Sequence, residues 1–392
     1  MASAHDAGPS RPGRVLVTDG EFKHTLGIIR ALADRGHEVH VLAASGRAPA
    51  VHSNVVASWH RVPPPSAAGY DERLREVAAA LRPVSLVAVG NGAVAAANRL
   101  RGSLPPDIGL ALAPAEALET ANDKARTAAL ARSVGVRAPR ECVVKDLETL
   151  RSAWAELGTP LVLKSRREEG RKVVRYVRAE RDLQPAFEAV RALAPTGVLA
   201  QEYVRGEGLG FSALYWHGAR VRQFMHRRVR EWPPSGGTSA CAESILESPA
   251  LARAGSALLD ALGWHGVAMV EFKGDPETGD LALMEINAKF WGSHDLALAA
   301  GVCFPGDLVA LLEGRALPPQ SPCRAVRFSW PFGGDLWHGL FHPVSLPRVL
   351  ADALSPGVAH SFRGRDPRPH LYEVVQWLRS APGAWREFRD LR

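Results

Sequence analysis

The chain has 392 residues, 46% of them apolar and 23% charged, with a formal net charge of +7. A chain of this length calls for two or three domains, and no apolar run approaches the roughly 18 residues that would cross a bilayer. The positive balance admits polyanions, yet no nucleic-acid module surrounds the arginines, so small anionic ligands such as nucleotide phosphates fit the charge better.

Met1 to Pro12 lacks the apolar centre of a secretory signal and reads as a loose leader. Arg14-Val15-Leu16-Val17-Thr18 is a short apolar strand, followed by a turn at Asp19-Gly20 and a helix to about Arg35. The helix carries Leu26, Ile28, Ile29 and Leu32 near helical spacing and ends at Gly36. His37 to Leu42 is a second strand, completing a β-α-β unit that predicts a parallel sheet. Val84 to Val89 is another, ending at Gly90-Asn91-Gly92. Strand ends of open parallel sheets gather ligands, and plain turn chemistry accounts for the same residues equally well.

After Ala113-Pro114, the stretch Ala115 to Val134 reads as one helix closed by Gly135 and Pro139. Strands are expected at 161–164 and 172–177 around a polar loop, then a helix near 182–193. An apolar strand at 198–204 ends in Gln201-Glu202-Tyr203-Val204. Strands at 210–217 and 219–228 lead into the Pro/Gly loop Trp232 to Ser239, and a helix over 247–263 precedes a hairpin. From about Leu317, Trp330, Trp337, Trp377 and Trp385 lie among Pro and Arg in what reads as an appended lobe. Cys142, Cys241, Cys303 and Cys323 lack the spacing of a zinc site or redox dithiol and read as reduced thiols of a cytoplasmic protein.

The hairpin is the most informative segment. Its strands are Met269-Val270-Glu271-Phe272 and Leu283-Met284-Glu285-Ile286-Asn287. Side chains alternate along a strand, so Glu285 and Asn287 share a face, and an antiparallel partner brings Glu271 onto it. Two carboxylates and an amide at one point suit Mg²⁺, which leaves its remaining positions to water and phosphate. A solvated hairpin face is the plain alternative.

Lysine is scarce: Lys23, Lys124, Lys145, Lys164, Lys172, Lys273 and Lys289 are the only ones among 48 basic residues. A compact ammonium between phosphate oxygens is one reason to retain lysine. Arg228 and Arg230, two apart on a predicted strand, share a face and are placed to clamp a carboxylate or phosphoryl group. Ser235-Gly236-Gly237-Thr238-Ser239 offers backbone N–H groups to anionic oxygens with no Cβ in the way at its glycines.

Two lysines, an adenine-sized hinge, a glycine-rich loop and a metal-binding hairpin, in that order, resemble the ATP-grasp superfamily and within it the carboxylate-amine ligases. The resemblance runs from about Asp123 to Pro305 and is most specific over Met284-Glu285-Ile286-Asn287-Ala288-Lys289-Phe290-Trp291-Gly292-Ser293. It implies a mixed α/β and α+β architecture: a Rossmann-like N-terminal domain over 1–112, central and C-terminal ATP-grasp subdomains over 113–197 and 198–317, and the appended lobe over 318–392. It further implies that Lys124 and Lys164 reach ATP phosphates, that Gln201, Glu202, Tyr203 and Val204 line the adenine, and that Glu207 meets the ribose. Glu271, Glu285 and Asn287 would hold Mg²⁺. Arg228, Arg230, Gly236, Gly237, Ser239, Lys289, Trp291 and Ser293 would border the substrates, with core packing an equal account of Trp291.

Ser165 and Ala288 stand where this branch commonly has proline, and Lys289 where it usually has arginine, which removes a planar fork from substrate recognition. The activity implied is ATP- and Mg²⁺-dependent joining of a small carboxylate to an amine through an acyl phosphate, in a cytoplasmic monomer or homodimer acting in biosynthesis with no nucleic-acid or membrane partner. Two rivals stand beside it. A non-catalytic nucleotide-binding protein would keep the same ligands, and a two-Rossmann glycosyltransferase would share the opening β-α-β unit but needs a second parallel sheet.

Overall fold

The computed structural model describes residues 13–167, 174–233 and 237–389. The chain divides into two compact units: 1–110 with 305–317 and 362–372, and 111–304 with 318–361 and 373–392.

The first unit is built on β1 (Arg14–Val17), β2 (Glu38–Ala43), β3 (Val56–Arg61) and β4 (Ser85–Val87), all parallel, in the order β3-β2-β1-β4. Val15, Leu16 and Val17 are fully buried, as central parallel strands covered on both faces require. The helix Lys23–Ala33 lays Leu26, Ile28, Ile29 and Leu32 into the core. Arg30 on this helix is also buried, and its guanidinium meets Asp366 at 2.8 Å. The Asp366 carboxylate accepts in addition from Ser53 Oγ at 2.6 Å and the Asn54 amide at 2.9 Å. Burial alone would raise this carboxyl, but those donors and Arg30 hold it below its ordinary range.

The second unit contains two sheets. The first is antiparallel, in the order β5-β8-β6-β7, from β5 (Glu141–Val144), β6 (Leu161–Ser165), β7 (Val174–Val177) and β8 (Val198–Glu202). Leu161 and Leu163 of β6 and Val198 and Ala200 of β8 turn inward, where they pack on Leu150 and Ala153 of one helix and Phe187 and Val190 of another. Alternation sends Val162, Lys164 and Gln201 to the opposite face.

The larger sheet comprises β9 (Glu207–Trp216), β10 (Ala219–Trp232), β11 (Thr238–Ile245), β12 (Gly266–Gly274), β13 (Leu281–Asn287), β14 (Arg327–Ser329) and β15 (Val358–Ala359), ordered β13-β12-β9-β10-β11-β14-β15. All of its pairings except β14 with β15 are antiparallel. No second all-parallel sheet exists among the described residues, which removes the glycosyltransferase reading. Trp337, Phe341, Trp377, Ala381 and Ala384 gather against Trp232 of β10. No helix among the described residues is long and apolar enough to cross a membrane.

Ala115 to Val134, expected as one helix, is two: Ala115–Ala121 and Lys124–Ser133. The break is Asp123, extended in backbone and fully buried, whose carboxylate caps the second helix by accepting from the Ala125 and Arg126 amides. Arg166 meets the same carboxylate at 2.8 Å. Alanine-rich flanks conceal this break because propensity favours helix on either side.

Candidate active site

A cleft in the second unit is lined by residues of both sheets. Val162, Val174, Tyr176, Tyr203, Val204 and Met284 supply its apolar part. Its charged lining is balanced, with Lys124, Lys164, Arg228 and Lys273 against Glu202, Glu231, Glu271 and Glu285.

Lys164 reaches the cleft from β6, only 8% exposed, and its ammonium donates to Gln201 Oε1 at 2.9 Å. Gln201 Nε2 in turn donates to Glu141 Oε2 at 2.9 Å, so Glu141 orients the amide that steadies the lysine. Burial raises the Glu141 carboxyl despite the nearby Lys164 charge. The Glu202 side chain turns to Arg140 at 2.8 Å. Burial works against that carboxylate, and Arg140 outweighs it, holding the group below its ordinary range. Tyr203 stands edge-on to Tyr176, with Lys273 Nζ 5.4 Å from its ring centroid. Glu207 does not line the cleft; it opens β9 at the surface, 3.9 Å from Arg227.

Lys124 stands at the first turn of the helix capped by Asp123, and its ammonium lies 3.6 Å from Glu285. Glu285 is directly opposite Glu271 across the β12–β13 pair. Asn287 is on the same face as Glu285 and donates to its Oε1 at 3.5 Å. The three hairpin side chains therefore stand together, Glu271 and Glu285 lining the cleft and Asn287 beside Glu285. Two carboxylates and a carboxamide are hard oxygen donors that fit Mg²⁺. Among the described residues no three His, Cys, Asp or Glu side chains form a metal cage, so such a cation would draw its other ligands from water or a phosphate.

Arg228 is central to the electrostatics. Its Nη2 meets Glu271 at 2.6 Å and its Nη1 stands 3.4 Å from Glu231. Burial opposes the charge, but Glu271, Glu231 and Glu285 together hold the guanidinium firmly protonated. Arg228 is on β10 and Glu271 on β12, with β9 between them. The side chain can cross because β9 presents glycine there: a Cβ at Gly208 would lie 2.9 Å from Arg228 Cδ, and one at Gly210 would overlap the His226 ring. The glycine-rich run from Gly206 to Gly210 thus clears a path over the sheet. Gly210→Ala should cost about 1–3 kcal/mol, since His226 is buried and held by Ser293 and has nowhere to retreat. Unfolding in urea checks this, and a loss of less than about 0.5 kcal/mol would contradict it.

Arg230 does not join Arg228. The β10–β11 register shifts on both sides of Arg230, so the regular two-residue alternation fails. Its guanidinium instead forms a two-pronged pair with Asp335 at 2.6 and 2.7 Å and also meets Asp352 at 2.8 Å. Gly236 lies outside the described residues. The Gly237 carbonyl accepts from Arg228 Nη1 at 3.4 Å, and Ser239 is buried on β11 opposite Glu231.

Lys289, Trp291 and Ser293 do not line the cleft. Trp291 is 1% exposed, packed among Phe290, His294 and Phe304, so it is a core residue. Ser293 Oγ lies 3.0 Å from His226 Nε2 and is likewise buried. Glu141, Tyr176 and Glu231 were not singled out from the sequence, and Lys273 was named only as one of the scarce lysines. Strand alternation puts Lys273 on the face of Glu271, two residues away; Glu231 is three residues from Arg228, so regular alternation would send it to the other face, and the register shifts around Arg230 give no sign in the sequence.

His226 and His294 are fully buried, and burial drives both imidazoles down to about 3, with Arg228 adding to the effect at His226. The folded value is thus below the unfolded value of about 6.5, so the unfolded chain binds protons that the folded chain refuses. This contribution to stability is complete above about pH 6.5 and is lost as pH falls, by about 2 kcal/mol per imidazole near pH 5. Urea unfolding across that range should show the decline, and His294→Leu should flatten it; an unchanged slope would refute the assignment.

No family model and no curated protein sequence matches the chain. Solved structures do. The biotin carboxylase domain of a Hydrogenobacter thermophilus 2-oxoglutarate carboxylase, in complex with MgADP, ADP and bicarbonate, matches with a TM-score of 0.66 at 18% identity, over 80% of this chain and 72% of that one. N5-carboxyaminoimidazole ribonucleotide synthetase from Thermus thermophilus matches at 0.61 and 21% identity, over 80% and 82%. An L-amino acid ligase from Bacillus licheniformis matches at 0.59 and 19% identity, over 78% and 75%. At these identities the likeness establishes architecture, and by that architecture the chain has the ATP-grasp fold.

Proposed function

We propose that this protein is an ATP-dependent carboxylate-amine ligase, which phosphorylates a small carboxylic acid and passes the acyl group to an amine. The observation that carries this reading is a single cleft lined by Lys124, Lys164 and Arg228, by Glu271 and Glu285 with Asn287 beside them, and by apolar and aromatic side chains such as Val162, Tyr176, Tyr203 and Met284. A triphosphate brings about four negative charges to a lining that is already neutral, so it must arrive with cations of its own. The hairpin oxygens are the natural seat for them. Bound there, Mg²⁺ would supply neutralisation of charge on the β- and γ-phosphates.

The chain's own groups do the remaining work. Lys164, steadied by Gln201, and Lys124 offer point charges to phosphate oxygens, while Gln201 to Val204 with Tyr176 border the base. Arg228 offers its guanidinium to the transferring phosphoryl group and the acyl oxygen. No protein nucleophile is needed: the substrate carboxylate attacks the γ-phosphorus, ADP leaves, and an amine displaces phosphate from the acyl carbon. Alignment and fixed charge provide most of the acceleration.

The test is ADP and phosphate release from ATP and Mg²⁺ with a matrix of amino acids and other small acids and amines, with products identified by mass. Release that requires both an acid and an amine is expected. Tight nucleotide binding with no turnover across the matrix would instead favour a non-catalytic nucleotide-binding protein.

A further inference from the structure

Arg228 stands between two carboxylates of the cleft lining, Glu271 and Glu231. Its Nη2 faces the acids of the hairpin, Glu271 at 2.6 Å with Glu285 opposite, while its Nη1 faces Glu231 at 3.4 Å. The first separation is that of a charge-assisted hydrogen bond and the second is longer than one. Glu231 therefore lines the cleft as a carboxylate whose charged neighbour Arg228 holds it more loosely than it holds Glu271. Its second oxygen has no partner among the described residues. Facing it from β9 is Gly208, where a side chain would come within 2.9 Å of Glu231 Oε1, and opposite it on β11 is Ser239. His338 approaches only the main-chain carbonyl of Glu231, at 2.9 Å. The Gly237 carbonyl, 3.4 Å from the same Arg228 nitrogen, adds a second acceptor nearby.

Resting on the ligase reading above, we infer that Glu231 and the Gly237 carbonyl form the subsite for the amine substrate, taken up as a primary ammonium ion. An ammonium has three donors and no acceptor, and this corner offers it two acceptors, the Glu231 carboxylate and the Gly237 carbonyl. The position also suits the chemistry. Phosphate departs on the hairpin side of Arg228, so the nucleophile is best held on the other.

Glu231 then acts as proton acceptor. One proton passes from the ammonium to the Glu231 carboxylate, and the freed lone pair forms the N–C bond at the acyl carbonyl. When the tetrahedral species collapses, the C–O bond breaks and phosphate leaves with the electron pair. The second nitrogen proton goes to the departing phosphate, and Glu231 returns its proton to water.

Hydroxylamine, already neutral at neutral pH, separates this role from the rest of the mechanism, because it captures an acyl phosphate without a base. Native enzyme with ATP, Mg²⁺ and a panel of L-amino acids serving as acid and amine is compared with Glu231→Gln, with and without hydroxylamine. The variant should lose about a hundredfold or more of amide formation yet keep hydroxamate formation within a few-fold of native. Equal loss of both products would assign Glu231 to phosphoryl transfer or folding, and loss of neither would leave it without a role; either overturns the inference. Glu231→Asp, with its carboxylate on a shorter arm, provides the same comparison should the amide variant not fold: it must lose more amide than hydroxamate. Native enzyme that forms neither product from any acid would instead bring down the ligase reading itself.

Discussion

Glu285→Gln is expected to reduce ATP-dependent turnover by about a thousandfold or more while leaving the fold in place. Glu285 is the hairpin acid best suited to this test. Its pairing with Lys124, 3.6 Å away at the start of a helix, is a loose one. Glu271 is a poorer choice, because its removal strips the buried Arg228 of its 2.6 Å partner, and an uncompensated buried charge costs several kcal/mol. Measurements should therefore pair initial rates over a wide Mg²⁺ range with a thermal midpoint. A folded Glu285→Gln protein retaining a tenth or more of native turnover, roughly 1.4 kcal/mol of barrier at most, would show that no cation essential to the reaction sits on this hairpin.

Arg230→Met carries the largest expected loss of stability, about 3–5 kcal/mol. Arg230 is 7% exposed, and its partners Asp335 and Asp352 are 0% and 4% exposed. Without the guanidinium, two carboxylates remain in an interior that hydrates neither. Ser329 Oγ donates to Asp335 Oδ2 at 2.7 Å, and Arg348 lies 3.4 Å from Asp352, so part of the negative charge keeps company. Removing both members of the closest pair, as Arg230→Met with Asp335→Leu, should recover most of the loss, since an apolar pair replaces a buried ionic one with little penalty. Denaturant unfolding of the single and double variants decides it. A double variant less stable than Arg230→Met alone would mean that the ionic cluster is held by packing and not by charge balance.

The hairpin was legible because strand periodicity is short and strict: once Glu285 is placed, Asn287 must share its face, and the observed register sets Glu271 directly across. Lys164 was legible because lysine is rare in this arginine-rich chain and because of the resemblance. Arg230 was not, because a local register shift leaves no mark in the amino-acid order, and two arginines two apart look alike whether or not the ladder between them is regular. Nor was Trp291, whose large ring fills a core or borders a ligand with equal ease until its neighbours are known. The break at Asp123 was hidden by helix-forming residues on both sides, although an aspartate before a helical run is itself a start signal. The assembly of the first unit from three distant stretches was out of reach altogether, since contacts between residues 30 and 366 depend on the path of everything between.

That last arrangement bears on how the molecule is made. The ribosome delivers the four parallel strands in close succession, but the carboxylate that neutralises Arg30 emerges 336 residues after it. Until then a guanidinium destined for the interior lacks this counter-charge, so docking of residues 362–372 is expected to follow formation of the strands they complete. A fragment ending at residue 110 should therefore be a poor surrogate for that region in isolation.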